Sequence, residues 1–337
     1  MCFACPAQKQ YASLTLVPQG ALNFEWRGFF RLPELPEVET IVRGLRPYVT
    51  GRRILDAELP SIQANGSGSP VLRRILREPE WKVPTNFIKA VKGSLISRVR
   101  RHGKHLVFDL RFSNGNSMQR CLVVHLGMTG RLTCEDTAAA RSPHTHLVLS
   151  LDQPGLWLHF TDARRFGRLQ LLDVSDTALH SLGPEPLEIG FPEFVRLLKT
   201  RGAMLKSLLL DQRFLRGLGN IYADESLFRA GLHPTALASR LNRQQALRLY
   251  KGIQETLSQA IEFRGSSISN YVDAEGHAGG FQQLHQVYRR TGEPCYDCAA
   301  RIRKIVVSSR STHFCPRCQR AGRGRGRSTA SLRGGKA

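Results

Sequence analysis

Four cysteines near the C-terminus constrain this chain more than any other feature. They fall as Cys295-x2-Cys298-x16-Cys315-x2-Cys318, the spacing of a four-thiolate structural zinc site. Each close pair suits a tight turn, and Ile302–Ser308 with His313-Phe314 reads as a hairpin joining the two turns. Four protein ligands fill a tetrahedron and leave no position for a catalytic water. The expectation is one structural zinc in a small ribbon. Arg301, Arg303, Lys304 and Arg310 make that ribbon basic, which points to binding rather than chemistry. Cys121 and Cys134 lie in apolar or mixed segments and read as packed thiols. Cys2 and Cys5 have no second pair nearby.

The partner is suggested by charge. Lys and Arg number 49 against 27 Asp and Glu, a formal charge of +22. Such an excess favours a polyanion: nucleic acid first, an anionic membrane surface second. No run of about 18 apolar residues is present to span a bilayer. Residues 1–30 do not read as a secretory signal, since Gln8, Lys9 and Gln10 interrupt any apolar stretch. A cytoplasmic location is expected.

A length of 337 residues allows two or three domains. Val38, Ile41, Val42 and Leu45 recur at helical spacing and predict a helix over 37–48, opened by Pro36 and closed by Pro47. From about Val91 to Leu172 the pattern changes to short β runs, at Leu106–Leu110, Leu122–Leu126, Leu147–Leu151, Trp157–Phe160 and Leu169–Leu172, as in a β-sandwich. Leu182-Gly183-Pro184-Glu185-Pro186 reads as a linker. Residues 187–262 read as helices, 265–282 as loop, 285–320 as the ribbon. The tail from Ala321 carries five basic residues and no acid and is expected to be disordered.

Gly217-Leu218-Gly219-Asn220 opens one of those helices. Glycines let a phosphate approach the backbone, and free N–H groups at a helix start attract it. A plain helix-capping turn is the other reading. Asn220 can cap the helix or donate to phosphate.

Several further stretches, in this order, carry a family resemblance: Pro33-Glu34-Leu35-Pro36-Glu37-Val38-Glu39-Thr40, Gly103-Lys104-His105-Leu106, His125-Leu126-Gly127-Met128-Thr129-Gly130, Asp162-Ala163-Arg164-Arg165-Phe166-Gly167, the linker, Gly217–Phe228, and the four-cysteine ribbon. Across residues 33–320 the chain resembles the bacterial formamidopyrimidine-DNA glycosylases, in the branch that prefers oxidised purines over the endonuclease VIII branch. The resemblance implies an α+β fold: an N-terminal β-sandwich with a flanking helix over 33–178, a helix–two-turns–helix α domain with a lesion loop over 179–284, and the zinc ribbon over 285–320, with a basic tail over 321–337. It also implies a bifunctional glycosylase and abasic-site lyase acting on double-stranded DNA with oxidised purines or abasic sites, as a monomer at the bacterial nucleoid.

Site roles follow from the same resemblance. The amine of Pro33 would be the nucleophile and Glu34 the general acid/base. Lys104 and Arg310 would complete the catalytic set by gripping phosphates beside the lesion, and Lys206 and Asn220 would hold flanking phosphates. Met128 and Phe166 would fill the hole left by the everted base, and Arg164 would read the widowed base. Glu37 and Glu225 are expected to be structural. The chain departs from the family at Arg216, where a small apolar residue is expected, at Arg289, where glycine is usual, and at Ser269 in the lesion loop.

Pro33 is preceded here by 32 residues, and an amide nitrogen, its lone pair shared with a carbonyl, cannot attack a sugar. The expectation is a functional start at Pro33, with 1–32 as an upstream extension. The alternatives are a non-catalytic damaged-DNA-binding protein of the same fold with Pro33 blocked, and a zinc-ribbon regulator.

Overall fold

The computed structural model describes residues 32–60, 75–76, 84–112, 119–136, 141–173, 181–268 and 271–321. Cys2, Cys5, Ser269 and all of the basic tail beyond Ala321 lie outside them.

Helix α1 (Leu35–Val49) comes first. Its start is closed by the Glu34 N–H, which donates to Glu37 Oε2 at 2.8 Å. Pro47 lies inside the last turn rather than ending the helix: its ring costs one hydrogen bond, and Thr50 N–H still reaches Arg46 O. Residues β1 (Ile54–Glu58), α2 (Pro84–Val91), β2 (Leu95–His102), β3 (His105–Arg111), β4 (Gln119–His125), β5 (Arg131–Glu135), β6 (Thr145–Leu151), β7 (Trp157–Thr161) and β8 (Arg168–Asp173) follow. The strands form two antiparallel four-stranded sheets, in the orders β1-β6-β7-β5 and β2-β3-β4-β8. All five β runs read from sequence are strands. Three more escaped that reading. β1 and β5 are five-residue edge strands, and β2 carries Arg98, Arg100 and Arg101, which mask its alternation.

Leu106, Phe108, Leu122, Val124, Leu147, Leu149, Leu158 and Phe160 fill the space between the sheets, and Val38, Ile41, Val42 and Leu45 of α1 join them. Leu35, at the other end of the same helix, belongs to a second core. That core is built by α3 (Phe191–Lys199), α4 (Leu205–Leu210), α5 (Asn220–Arg229) and α6 (Arg243–Glu262), with Phe194, Phe214, Tyr222 and Leu257 at its centre. Helix α1 therefore pins the β and helical halves together. The hairpin β9 (Arg303–Val307) and β10 (Arg310–Phe314) packs with Phe228, Val287, Ile302 and the cysteines in a third small cluster. Among the described residues no helix is long and apolar enough to cross a membrane.

Candidate active site and DNA interface

The two glycines at the start of α5 make room for a carboxylate of the protein itself. A Cβ on Gly219 would lie 2.3 Å from Cδ of Glu34, and one on Gly217 2.8 Å from Cβ of Leu35. The vacated space admits Glu34 to the helix N-terminus, where the N–H groups of Ile221 and Tyr222 donate to it at 2.9 and 3.3 Å. The phosphate-cradle expectation for this turn is thereby corrected: the donors that would hold a phosphate hold Glu34. The carboxylate takes the anion's place in the helix dipole's field. Burial nevertheless pushes the Glu34 carboxyl above its ordinary range, against the pull of Lys104 and of the two N–H groups.

Glu37, one turn along α1, is equally buried. It accepts from Ser266 N–H at 2.7 Å and Glu34 N–H at 2.8 Å, and the Tyr222 hydroxyl donates to it. It thus joins α1, α5 and the lesion loop. Burial first, and then the charge of Glu34, raise its carboxyl to about 7. Its structural role matches the sequence expectation; Tyr222 and Ser266, the partners that give it that role, carried no sequence signal.

Pro33, half-buried, lines a narrow cleft with Leu32, Glu37, Met128, Ile221, Ser266, Ile268 and Tyr271. Met128 thus stands beside Pro33, though at 7% exposure it is tucked into the cleft wall rather than projecting. Lys104 sits half-buried on the tight β2–β3 turn. Burial lowers its ammonium pKa, the carboxylates of Glu34 and Glu37 raise it, and the charges of Arg310 and Lys206 lower it. Glu34, Glu37, Lys104, Lys206 and Arg310 therefore share one electrostatic neighbourhood.

Two of the expected phosphate contacts look different. Lys206 is fully buried: its Nζ lies 2.6 Å from Asp224 Oδ1, and it donates to Asn220 O at 2.9 Å. The other Asp224 oxygen accepts from His313 N–H at 2.8 Å. Lys206 is thus not exposed to take a phosphate. It is the hidden end of a brace from α4 through α5 to β10, because the Asp224 charge needs a buried counter-ion. Asn220 donates to Ser311 O at 2.9 Å, and one of its two amide hydrogens remains for another acceptor. Glu225 accepts from the N–H groups of Gln286, Val287 and Tyr288. It is structural, as expected, and ties α5 to the segment entering the ribbon. Through these bonds Arg310, exposed on β10, is brought near Lys104.

The departures from the family pattern also find places. Arg216 pairs with Glu185 at 3.3 Å and donates to Gly183 O, so it is neither free for phosphate nor merely solvated. Arg289 stands at φ +63°, a left-handed backbone that explains why glycine suits the position.

Arg164 and Phe166 are exposed on the β7–β8 loop, with the guanidinium 5.5 Å from the ring centre. Asp162, missed in the sequence, organises that loop: its carboxylate accepts from Arg164 N–H, Gly167 N–H and the Thr129 hydroxyl. A Cβ on Gly127 would come within 2.5 Å of Phe166 C and Gly167 N, so the loop holding Met128 and the β7–β8 loop touch backbone to backbone.

In the ribbon, the four cysteine sulfurs lie within 4.8 Å of one another. Cys295–Cys318 and Cys298–Cys315 are 3.9 and 3.4 Å apart. Zinc–sulfur bonds of about 2.3 Å in a tetrahedron require sulfur–sulfur edges of about 3.8 Å. The set fits one structural zinc, which crosslinks two turns and supplies no chemistry.

A buried acid beside a proline, cations at the rim and two loops offering an apolar and an aromatic side chain define a DNA-processing enzyme of the helix–two-turns–helix class. The comparisons agree. Three family signatures match in chain order: the formamidopyrimidine-DNA glycosylase N-terminal domain at 32–169, its H2TH domain at 182–272, and the zinc finger found in FPG and IleRS at 292–321. A formamidopyrimidine-DNA glycosylase of Solibacter usitatus is 46% identical over 289 residues, 86% of this chain and 100% of its own. One of Pelotomaculum thermopropionicum is 41% identical over 295 residues, 86% of this chain and 99% of its own. The crystal structure of the MutM (Fpg) protein from Thermus thermophilus has a TM-score of 0.71 at 41% identity, covering 86% of this chain and all of that one. Lactococcus lactis Fpg in complex with abasic-site DNA has 0.72 at 33%, with the same coverage. The chain belongs to the formamidopyrimidine-DNA glycosylase family.

Proposed function

We propose that this protein is a base-excision repair glycosylase and abasic-site lyase that removes oxidised purines from double-stranded DNA, working as a monomer in the cytoplasm at the nucleoid. The observation that carries this reading is the placement of Glu34. Its carboxyl is buried on the α5 N-terminus next to Pro33, with a raised pKa. Burial favours the protonated form of this carboxyl, and a carboxylic acid placed beside the sugar can protonate it as it opens.

In this reading a free Pro33 amine attacks C1′ of the damaged nucleotide and the base leaves. The resulting iminium permits elimination at the 3′ and 5′ phosphates. Lys104 and Arg310 steady the phosphates beside the lesion. Phe166 and Met128 fill the vacated stack, Met128 by swinging out of the cleft, and Arg164 reads the orphaned base. Asn220 offers its remaining amide hydrogen to a phosphate. Lys206 acts through Asp224 as a positioning residue. Pro33 needs a free amine, so in this reading the active form begins there, with 1–32 upstream of its start. The non-catalytic alternative gains nothing from the Glu34 placement.

The test compares a chain beginning at Pro33 with residues 1–337, on duplex DNA holding 8-oxoguanine opposite cytosine. Borohydride should trap a covalent complex with the first and none with the second. Equal trapping by both would remove Pro33 as nucleophile and make Lys104 the first alternative.

A further inference from the structure

The outward face of the sheet β2-β3-β4-β8 holds a cavity of about 370 Å³ at the end where β2 begins and β3 ends. Four arginines line it: Arg98, Arg100, Arg111 and Arg120. Two are neutralised. Arg100 forks onto Asp109, with Nε–Oδ2 and Nη2–Oδ1 both 3.0 Å, and the Cys121 thiol adds a 3.2 Å bond to the same carboxylate. Arg120 lies 3.1 Å from Asp173 and 5.8 Å from the centre of the Phe112 ring. Arg98 and Arg111 are exposed, and neither makes an ion pair among the described residues.

The register fixes how the two unpaired cations sit. Arg98 is opposite Asp109 across the β2–β3 ladder, and Arg111 is two residues further along the same face of β3. They are diagonal neighbours, about 7–8 Å apart along the sheet. A guanidinium fork suits a phosphate bidentately, and its weak hydration favours that contact over a solvated one. Arg100, paired with Asp109, keeps that carboxylate's charge from repelling an anion. The cavity is also remote from the chemistry. From His105, beside Lys104, to Arg111 is six residues of strand, about 20 Å, so a duplex across the Pro33 cleft leaves this corner open.

We propose that this corner is a second DNA-contact site, which takes the phosphodiester backbone of another duplex segment while the first lies across the Pro33 cleft. It rests on the glycosylase reading and adds direct transfer between duplexes to it. A net charge of +22 favours contact with more than one polyanion, and a site of two fixed forks gives that contact a place.

The experiment follows dissociation of the full chain from a short fluorescent duplex carrying 8-oxoguanine, as unlabelled lesion-free duplex is raised. Direct transfer makes the off-rate climb with competitor concentration. The double substitution Arg98→Ala/Arg111→Ala should abolish that climb and lower the salt slope of transfer by about two units, one per phosphate contact. Affinity for the labelled duplex and dissociation without competitor should be unchanged. A charge-matched control, Arg201→Ala/Arg240→Ala on the helical half, should keep the climb. The proposal is overturned if the wild-type off-rate ignores competitor, if the double variant keeps the climb, or if the control loses it equally, which would assign the effect to net charge. Failure of the wild type to bind the labelled duplex at all would instead count against the glycosylase reading.

Discussion

Glu34 and Glu37 share one short turn and have opposite surroundings. Glu34 is held by backbone donors and faces Lys104; Glu37 is enclosed by α1, Tyr222 and the lesion loop. With its carboxyl raised from 4.5 to about 7, Glu37 keeps a proton in the folded protein that the unfolded chain has released. The stability that Glu37 contributes is then full below about pH 4.5 and is lost as pH climbs to about 7, roughly 3 kcal/mol in all. Urea unfolding between pH 5 and 8 reads this slope. Glu37→Gln should flatten it, and an identical slope in both proteins would mean that another group carries the proton.

The ribbon is the element whose folding depends on something outside the chain. Apart from cysteines its cluster holds only Phe228, Val287 and Ile302 with Ala300 at the edge, among the described residues, too little apolar surface to hold two turns together without metal. Yet it positions Arg310 and receives Asn220 and Asp224 on β10. Cys315→Ser should therefore lose the single zinc, measured by elemental analysis, together with DNA affinity; DNA binding that survives zinc loss would detach the ribbon from the grip. The β7–β8 loop makes a separate claim. Asp162 fixes its backbone, so the Arg164 guanidinium is presented on a rigid base. Arg164→Ala should leave the loop intact and flatten discrimination between opposite bases, by about 1–3 kcal/mol for a good base contact. Excision rates opposite each of the four bases would show it, and a retained preference for cytosine would reassign the reader.

At the scale of the whole molecule, one arginine links the halves. Arg101 on β2 pairs with Glu39 on α1 at 2.9 Å and with Glu185 in the linker at 2.9 Å, and is 8% exposed. Arg216, before α5, reaches the same Glu185. Removing Arg101 leaves Glu185 with Arg216 and Glu39 with Arg43 as remaining partners, but opens the bridge between the two halves. Arg101→Ala should cost about 1–3 kcal/mol, less than the full penalty of an uncompensated buried charge because each carboxylate keeps a second arginine, and denaturant unfolding would measure it. A loss below 1 kcal/mol would show that α1, with Leu35 in one core and Val38 in the other, holds the halves alone.

Much of this was legible in the chain. The ribbon is local: four thiols at fixed spacing and a hairpin between them need no distant residue to be recognised. The five longer β runs and the helices of 187–262 show because apolar periodicity is a property of neighbours in sequence. Motif order placed Pro33, Glu34, Lys104, Arg164 and Phe166. The tertiary structure decided what each buried charge faces. Glycines that read as a cradle for phosphate shelter Glu34, from 185 residues upstream of Gly219. A lysine that read as a DNA contact is spent on Asp224, and an arginine standing where a small apolar residue was expected is spent on Glu185. Sequence names the charges and the turns. Which opposite charge a buried group meets depends on long-range packing, and in a low-dielectric interior that meeting fixes its role.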